Sequence, residues 1–370
     1  MTTNLRAALI SLGSTSSDWT GEAMKKYFSE VDELDIRKID IKISGKDDEI
    51  LYDGKVLGKY DCVYAKGSFR YAQLLKTLTT VLNKKCYMPI SADAFTIAHD
   101  KLLTHLELQK QGIPMPRTYI TATINAAKKI LEDIKFPIVM KFPHGTGGKG
   151  VMFADSYGAA SSLLDALSTL RQPFIIQEYI DTGGIDLRLI VVGDRVVASM
   201  KRKAGPLEAR ANFHSGGTGE NYEPDYMIKK IAIDTARAIR ADICAVDILQ
   251  SARGPLVIEA NVSPGLQLIT KTSKINVADI IAKYLYDKAS DNKSRATDAH
   301  SSRMITGMIS AVDDKKNPGR QRKLITDLTF RGGNIIIPEI VTRSTELSPS
   351  DTFEITTEPD SIIIKKMKIR

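Results

Sequence analysis

The stretch AVDILQSARGPLVIEANVSPG, residues 245–265, contains two apolar runs of strand length separated by a short polar turn. Side chains alternate between the two faces of a strand, so Glu259 and Asn261 lie on one face. If the chain turns at Gly254 in the left-handed conformation, Asp247 lies opposite Glu259 on the neighbouring strand. The stretch therefore predicts a β-hairpin that carries three oxygen-bearing side chains on one face.

These side chains predict a site for a divalent metal ion. The flanking residues are otherwise apolar, and two carboxylates on such a face are costly to bury without a counter-ion. Carboxylate and amide oxygens suit Mg²⁺ better than zinc, with Mn²⁺ as a second option. The alternative is a set of exposed polar residues on a half-solvated sheet, which fits less well because the acids interrupt nearly continuous apolar runs. We therefore expect Asp247, Glu259 and Asn261 to bind Mg²⁺.

A glycine-rich stretch, MKFPHGTGGKGVMFADS, occupies residues 140–156. It differs from the P-loop pattern because Lys149 is followed by Gly150 and an apolar strand, where a P-loop has Ser or Thr and a helix. The stretch predicts a flexible loop between two antiparallel strands, whose backbone N–H groups could close over phosphate groups. Lys141, at the end of the first strand, would add a positive charge. A loose surface hairpin is the alternative, and this stretch alone does not exclude it.

Composition sets further limits. The chain has 370 residues, 26% charged and 43% hydrophobic, which is typical of a globular protein with two or three domains. The net charge of +8 favours an anionic partner (a nucleotide, an acidic peptide or a nucleic acid), although it is spread over 52 basic residues. The three widely spaced cysteines predict free, mostly buried thiols in a reducing cytoplasm. The first residues predict a strand rather than a signal peptide, and no apolar run is long enough to span a membrane.

The pattern of apolar residues divides the chain. Residues 5–92 alternate short strands with helices, which predicts an α/β domain with a mainly parallel sheet. A single helix is expected over residues 96–111. Paired strands dominate residues 136–200. A last helix is expected at about 276–288, followed by a polar linker and, from residue 324, a tail of short strands.

Most of the chain, from about residue 95 to 289, resembles the ATP-grasp superfamily and within it the RimK-like amino-acid ligases. The matching segments follow the family's order and spacing: HDKLLTHLELQKQGIPMPRT, IVMKFPHGTGGKGV, IIQEYI, DLRLIVVGDRVVASMKRKA, ARANFHSGGTG, AVDIL and GPLVIEANVSPGL. The resemblance implies an α/β and α+β fold in which an α/β domain precedes a two-subdomain ATP-grasp fold and a small, β-rich C-terminal domain. The implied boundaries are 1–95 (N-terminal domain), 96–182 (central subdomain with the glycine-rich lid), 183–288 (C-terminal subdomain with the metal site), 289–323 (linker) and 324–370 (last module).

The resemblance also implies roles for residues that match the family's motifs. Glu178 and Tyr179 would form the hinge that holds adenine, and Asp186 would bind the ribose. The full set implied to bind ATP is Lys101, Lys141, Gly147, Gly148, Glu178, Tyr179, Asp186, Arg210 and Asn212. The residues implied to bind substrate are Arg188, Arg202, His214, Ser215 and Gly216, and those implied in catalysis are Lys141, Arg202 and Arg210. For each lysine or arginine the alternative is a surface salt bridge.

The chemistry implied is that of an ADP-forming ligase. A carboxylate takes the γ-phosphoryl group of ATP to give an acyl phosphate, and an amine then displaces phosphate to leave an amide. Such chemistry needs positioning and charge neutralisation, which lysines, arginines and Mg²⁺ would supply beneath a lid that excludes water. His214 could remove a proton from the incoming ammonium, bind substrate or only pack.

The acceptor stays open because two positions depart from the family pattern. Ser215 stands where a basic residue is usual, and Gln267 stands where an acidic residue is common. Both lie near the expected acceptor site. The candidates that would receive glutamate or another amino acid are a protein C-terminus, a carrier protein and a coenzyme.

Residues 324–370 resemble the AbrB-like swapped-hairpin module, through IIIP, a PSD turn, FEI and SIIIKK. The resemblance implies an intertwined homodimer, because one such hairpin set is too small to bury its own core. The module often binds DNA, and KKNPGRQRK and KKMKIR would supply phosphate contacts. However, Asn334 replaces the usual basic residue or glutamine after the glycine, which favours dimerisation. The alternative function for the whole chain is a nucleotide-sensing regulator that binds DNA through this tail.

Overall fold

The computed structural model describes residues 4–44, 48–145, 150–171, 173–204, 218–312, 329–331, 334–336, 351–358 and 361–367. The chain divides into two compact units, Met1–Ser294 and Arg295–Arg370. The described helices are α1 (Thr15–Met24), α2 (Ala72–Leu82), α3 (Ala92–His99), α4 (Lys101–Lys110), α5 (Ile124–Asp133), α6 (Tyr157–Thr169), α7 (Tyr226–Ala238), α8 (Gln267–Ser273) and α9 (Val277–Val312), with 3₁₀ turns at Ile36–Lys38 and Phe69–Tyr71. The described strands of the first unit are β1 (Arg6–Ser11), β2 (Glu30–Asp35), β3 (Ile39–Lys42), β4 (Glu49–Tyr52), β5 (Lys55–Val56), β6 (Cys62–Ala65), β7 (Thr118–Tyr119), β8 (Ile138–Lys141), β9 (Val151–Ala154), β10 (Ile175–Glu178), β11 (Ile185–Val192), β12 (Arg195–Lys203), β13 (Thr218–Asn221), β14 (Ile243–Ser251) and β15 (Gly254–Asn261).

The N-terminal part contains the predicted parallel sheet, in the order β2-β1-β6. Its register pairs Leu9 with both Glu33 and Tyr64, so these three side chains share one face. Helix α1 lies on that face, as shown by the ion pair at 2.8 Å between Glu33 and Lys25, the residue that follows the helix. A second, antiparallel sheet of β3-β4-β5 was not predicted.

The single helix expected over residues 96–111 is wrong, because the chain forms two helices that meet at Asp100. Asp100 has an extended backbone, and its Oδ1 accepts from the N–H groups of Leu102 (2.8 Å) and Leu103 (3.2 Å). An aspartate in this position caps a new helix by satisfying its first free donors. Lys101 thereby becomes the first residue of α4.

The first unit has two hydrophobic cores. The larger core combines the parallel sheet with the C-terminal sheet, and the smaller one lies between α5, α6 and the sheet β7-β10-β8-β9. Leu108 and Ile113 belong to the larger core. Helix α4 therefore packs with the larger core, and the predicted start of the central subdomain at residue 96 stays a prediction. As predicted, β8 and β9 pair in antiparallel fashion on either side of the glycine-rich loop.

The C-terminal sheet is antiparallel, in the order β13-β12-β11-β14-β15. The β14–β15 hairpin turns as predicted, with Gly254 at φ 101° and Asp247 paired with Glu259. Helix α7 packs on this sheet, and α8 packs against β12 and β13.

Helix α9 continues to Val312, whereas the last helix was expected to end at about residue 288. From residue 290 to 312 the sequence has no proline and one glycine, so nothing in it ends the helix. The second unit contains two described hairpins, β16 (Thr329–Arg331) with β17 (Asn334–Ile336) and β18 (Phe353–Glu358) with β19 (Ser361–Lys366). The AbrB-like resemblance stays a prediction, because most of residues 324–350 lie outside the described residues.

All three cysteines are free and buried, as predicted. In the described part of the chain, no helix combines the length and apolar character that crossing a membrane requires.

Candidate active site

Strand register brings the predicted site residues of the C-terminal sheet onto one face. Arg202 pairs with Asp186, Arg188 pairs with Asp247, and Asp247 pairs with Glu259. Directly paired residues of antiparallel strands project to the same side. The shared face therefore carries Asp186, Arg188, Arg202, Asp247, Glu259 and Asn261.

Four of these residues form a buried ion-pair network. Arg188 donates through Nε and Nη2 to the two carboxylate oxygens of Asp247 at 2.8 and 2.7 Å. Arg202 donates to both oxygens of Asp186 at 2.6 and 2.7 Å and, through Nη2, to Asp247 at 2.8 Å. Arg202 and Asp247 are each 3% exposed. In such surroundings paired charges hold each other firmly, and separating them is costly.

The network shifts the pKa values of its two carboxyl groups in opposite directions. Burial raises the pKa of Asp186 to about 6, and the nearby Asp247 adds to the rise although Arg202 opposes it. Burial would also raise the pKa of Asp247, but Arg188 and Arg202 outweigh it and hold this pKa at about 2. Asp247 is therefore fully ionised at neutral pH.

This arrangement bears on three of the implied roles. Both oxygens of Asp247 already accept from arginine, so a metal ion bound to Asp247 would share its carboxylate with a guanidinium group or displace that group. The ribose-binding role of Asp186 and the substrate-binding role of Arg202 likewise compete with their bidentate pair. These three roles stay predictions. The ion pairs that compete with them arise because the strand pairing sets aspartates opposite arginines.

Glu259 and Asn261 are better placed to hold a metal ion. Within the described ranges, Glu259 forms no salt bridge or hydrogen bond, and no group of three His, Cys, Asp or Glu side chains is arranged for a metal. The Oδ1 atom of Asn261 accepts from Ser263 N–H at 2.9 Å and keeps a second lone pair. A carboxylate and an amide oxygen on one face suit Mg²⁺, which takes only a few protein ligands beside water and phosphate.

A pocket joins these two side chains to the start of α4. Its lining includes His99, Lys101, Thr104, Gly145, Glu259 and Asn261. Lys101 holds the beginning of the glycine-rich loop, because its backbone N–H donates to Pro143 O at 3.0 Å and its Nζ donates to Gly145 O at 3.1 Å. The cap at Asp100 thus places one predicted phosphate ligand directly beneath the loop.

Lys141 lies close to the same pocket, on β8. Its Nζ donates to Gln177 Oε1 at 2.6 Å, and it forms no salt bridge with any described residue. Burial lowers the pKa of Lys141 to about 8; Glu259 opposes this shift and Lys101 adds to it. Both lysines are half-buried, and their charges influence one another. Two such cations beside one pocket suit a polyanion such as a triphosphate.

Sequence reasoning missed two residues of this pocket region. His99 Nε2 is buried and has no hydrogen-bond partner among the described residues. Burial lowers the pKa of His99 to about 4, with added effects from His144 and Lys101, so the imidazole is neutral. Gln177 was missed too, although it connects Lys141 to His105 (3.0 Å). Both residues stand in segments that match the family, HDKLLTHLELQKQGIPMPRT and IIQEYI, but the surroundings that mark them come from distant elements.

The predicted adenine hinge lies at the end of β10. Glu178 Oε1 accepts from Arg117 N–H at 2.8 Å and from Arg253 at 2.5 Å. Burial would raise the pKa of Glu178, but these two groups lower it overall. Tyr179 packs edge-on against Phe153 of β9, with ring centroids 5.1 Å apart. Arg253 belongs to the turn between β14 and β15, so the hinge contacts the hairpin that carries Glu259.

The remaining implied residues lie outside the part of the chain that the structure describes. They are Gly147, Gly148, Arg210, Asn212, His214, Ser215 and Gly216. Their roles stay predictions.

Comparison with known proteins places this geometry in a family. Residues 98–285 match the RimK-like ATP-grasp domain. A probable alpha-L-glutamate ligase of Shewanella loihica is 33% identical over 286 residues, which cover 74% of this chain and 92% of that protein. One of Vibrio cholerae is 33% identical over 280 residues, with the same coverage of 74% and 92%.

Solved structures share the fold at lower identity. The ATP-grasp ligase PsnB, complexed with a minimal precursor, Mg and ADP, has a TM-score of 0.61 at 15% identity and covers 77% of this chain and 98% of its own. A RimK domain ATP-grasp protein from Sphaerobacter thermophilus has a TM-score of 0.60 at 19% identity and covers 75% of this chain and 98% of its own. Because the family match spans residues 98–285 and relatives that are 33% identical are covered over most of their length, the chain is a member of the RimK-like ATP-grasp family and an ADP-forming ligase.

Proposed function

We propose that this ligase joins the amino group of glutamate to a carboxylate of an acceptor through an acyl phosphate. The observation that carries the proposal is the pocket that Lys101 lines together with Glu259 and Asn261, beside Lys141 of β8, which is influenced by the charges of both Glu259 and Lys101. Neither lysine forms a salt bridge with a described carboxylate, so both are available to phosphate oxygens. Glutamate is proposed because relatives at 33% identity are named alpha-L-glutamate ligases.

The chain's own residues would divide the work. Lys101 and Lys141 bind the phosphate groups of ATP, and Glu259 and Asn261 would hold Mg²⁺. The bound Mg²⁺ supplies neutralisation of the charge that develops on the transferred phosphoryl group. The loop that begins at Gly145, held by Lys101, closes over the phosphates and excludes water that would hydrolyse the acyl phosphate.

The buried arginines have a place in this scheme. Arg188 and Arg202 share the face of Glu259, so either one, released from Asp247, comes within reach of an anionic substrate on that face. Asp247 would then become free to join Glu259 as a metal ligand. The ion-pair network would thus exchange arginine for metal when substrate binds.

The acceptor is one of the three classes expected from the sequence: a protein C-terminus, a carrier protein or a coenzyme. We would incubate the protein with Mg²⁺-ATP, labelled glutamate and a cell extract, and identify the labelled product by mass spectrometry. ADP release that depends on both glutamate and an acceptor supports the ligase. ATP turnover without any labelled amide would contradict it.

Two variants test the assignment of residues. Glu259→Gln and Lys141→Met should each lower ADP release by at least about tenfold, since each removes a charge that faces the phosphates. Lys59→Met, a change at an exposed lysine of the N-terminal part, is the matched control and should leave turnover unchanged. Full turnover by Glu259→Gln would contradict the metal assignment.

We also propose that the second unit pairs with a second copy of the chain. Ile355 and Ile362 lie on one face of the β18–β19 hairpin and are 62% and 51% exposed, and an isolated hairpin buries too little to be stable. Light scattering should show a dimer, which Ile362→Lys converts to monomer while Thr356→Lys, on the opposite face, does not. A wild-type monomer would contradict the proposal. The DNA-binding alternative gains no support from the described residues or from the comparisons.

A further inference from the structure

Lys66 is a buried lysine that the proposed chemistry has not used. It is 5% exposed, and no described residue offers its Nζ a carboxylate or a hydrogen-bond acceptor. Its Nζ lies over the ring of Tyr64, 5.6 Å from the ring centroid. Burial lowers the pKa of Lys66 to about 8. A cation buried without a partner opposes folding, so its presence suggests a partner that arrives from outside the chain.

Lys66 stands at the carboxyl edge of the parallel sheet. It directly follows β6, and its backbone N–H donates to Ile10 O of β1 at 2.8 Å. Its side chain lies over Tyr64, and therefore on the face of the sheet that also carries Glu33 and α1. Ligands of open α/β sheets bind beyond the carboxyl ends of the strands.

The first turn of α1 lies at the same edge and on the same face. The chain leaves β1 at this edge and enters α1, whose N-cap is Ser14. Within the described residues, nothing accepts from the backbone N–H groups of Thr15 and Ser16. Free N–H groups at a helix start attract anions, and these lie at the same edge and on the same face of the sheet as Lys66.

The loop that follows β15, the strand with the predicted metal ligands Glu259 and Asn261, contacts both Gly67 and the first turn of α1. Gly67 N–H donates to Ser263 Oγ at 3.0 Å, and Leu266 N–H donates to Ser16 Oγ at 2.8 Å. Ser263 N–H in turn donates to Asn261 Oδ1 at 2.9 Å. An anion bound at Lys66 would therefore lie beside the loop that leads directly from Asn261.

We propose that Lys66 and the first turn of α1 bind a carboxylate group of the acceptor. The inference rests on the proposed ligase function, because that reaction requires a carboxylic acid next to the phosphate pocket. The phosphates of ATP have their own proposed cations in Lys101, which lines the pocket with Asn261, and in Lys141 beside that pocket. Lys66, the remaining cation beside the start of α1, then binds the second anionic reactant, the carboxylate of the acceptor.

The chain contains a built-in reporter for this site. Trp19 is its single tryptophan, and it lies in α1. We would titrate the full chain, with Mg²⁺ and a non-hydrolysable ATP analogue, with N-acetyl-L-glutamate and with a short peptide ending in glutamate. Saturable change in Trp19 fluorescence is expected for at least one of these probes.

The variants separate a binding role from a structural one. Lys66→Met should weaken probe binding by about 10- to 100-fold, the usual effect of losing a charged hydrogen bond, and Lys66→Arg should keep most of it. The melting temperature of Lys66→Met should not fall, because no partner within the described chain is lost. Lys59→Met, which changes an exposed lysine, should bind the probes as the wild type does.

Three results would overturn the inference: no probe binding by the wild type, equal binding by Lys66→Met, or binding of inorganic phosphate as tight as that of the carboxylates. Its failure is distinguishable from failure of the ligase proposal. If the wild type forms the amide and Lys66→Met keeps the same KM for the acid, the Lys66 site is wrong and the ligase stands. If probe binding depends on Lys66 but no labelled amide forms, the ligase proposal is wrong and the carboxylate site stands.

Discussion

Replacing Arg202 by methionine should destabilise the protein strongly and in a pH-dependent way. Methionine keeps much of the side-chain volume, so the change removes the guanidinium group and little packing. Arg202 is 3% exposed and donates to both Asp186 and Asp247. Removing one partner of a buried ion pair costs about 3–5 kcal/mol of the free energy of unfolding. We expect the lower end of that range, since Asp247 keeps Arg188.

The pH dependence follows from the two carboxyl groups. The pKa of Asp186 is raised in the folded protein to about 6 from the ordinary 3.8, so its charged form opposes folding at neutral pH and protonation relieves this as the pH falls through 6. The pKa of Asp247 is lowered to about 2, so its contribution to stability persists until the pH falls well below 3.8. Of these two groups, only Asp186 changes its protonation state between about pH 7.5 and 5.5. Its contribution to the free energy of unfolding changes by at most about 1.4 kcal/mol per pH unit.

In the Arg202→Met variant Asp186 loses its cation, and its pKa rises further. The variant therefore gains more from acidification than the wild type does. Its deficit in unfolding free energy should shrink by about 1–2 kcal/mol between about pH 7.5 and 5.5. Urea denaturation followed by circular dichroism at the two pH values measures both quantities.

A matched control is Arg195→Met, at the exposed turn of the same sheet, where the arginine side chain is 76% exposed. This change should cost less than about 0.5 kcal/mol and show no pH dependence. A deficit for Arg202→Met that equals that of the control, or one that does not shrink on acidification, would refute the account of the network.

Three further changes concern the nucleotide pocket. Lys141→Met should weaken ATP binding by about tenfold or more without a large loss of melting temperature, because Lys141 has no carboxylate partner among the described residues. Calorimetric titration measures the affinity, and a thermal melt measures the stability. Unchanged affinity would contradict the phosphate-binding role of Lys141. Asp100→Ala should cost about 1 kcal/mol of unfolding free energy and raise the KM for ATP, because the cap that positions the following lysine is lost, whereas Asp100→Asn should retain both. Gly150→Ala should slow turnover, because Gly150 has φ +77° and an added Cβ would meet the ring of Phe142. The control is Gly158→Ala, where an added Cβ meets no atom within 4 Å. Steady-state kinetics of the two variants show whether the geometry at Gly150 matters for turnover.

The sequence alone determined the parts of this protein that short-range rules govern. Alternation along β14 and β15 and the turn at Gly254 were enough to set Asp247 opposite Glu259. The missing Ser or Thr after Lys149 correctly predicted strands on both sides of the glycine-rich loop. These features depend on neighbours a few residues apart, so the sequence displays them directly.

Only the tertiary structure decided which charges meet. Arg188 and Asp247 are 59 positions apart and touch because β11 pairs with β14, a choice that no local pattern displays. The same pairing makes Asp247, a predicted metal ligand, an ion-pair partner of Arg188, and its metal role stays a prediction. Lys66 resembles any strand-end lysine in the sequence. It becomes a buried cation with no partner among the described residues because the shared core brings α1 and the loop after Asn261 to one edge of the sheet. Long-range packing sets the dielectric surroundings and the partner of each charge, and those two quantities decide what a charged side chain can do.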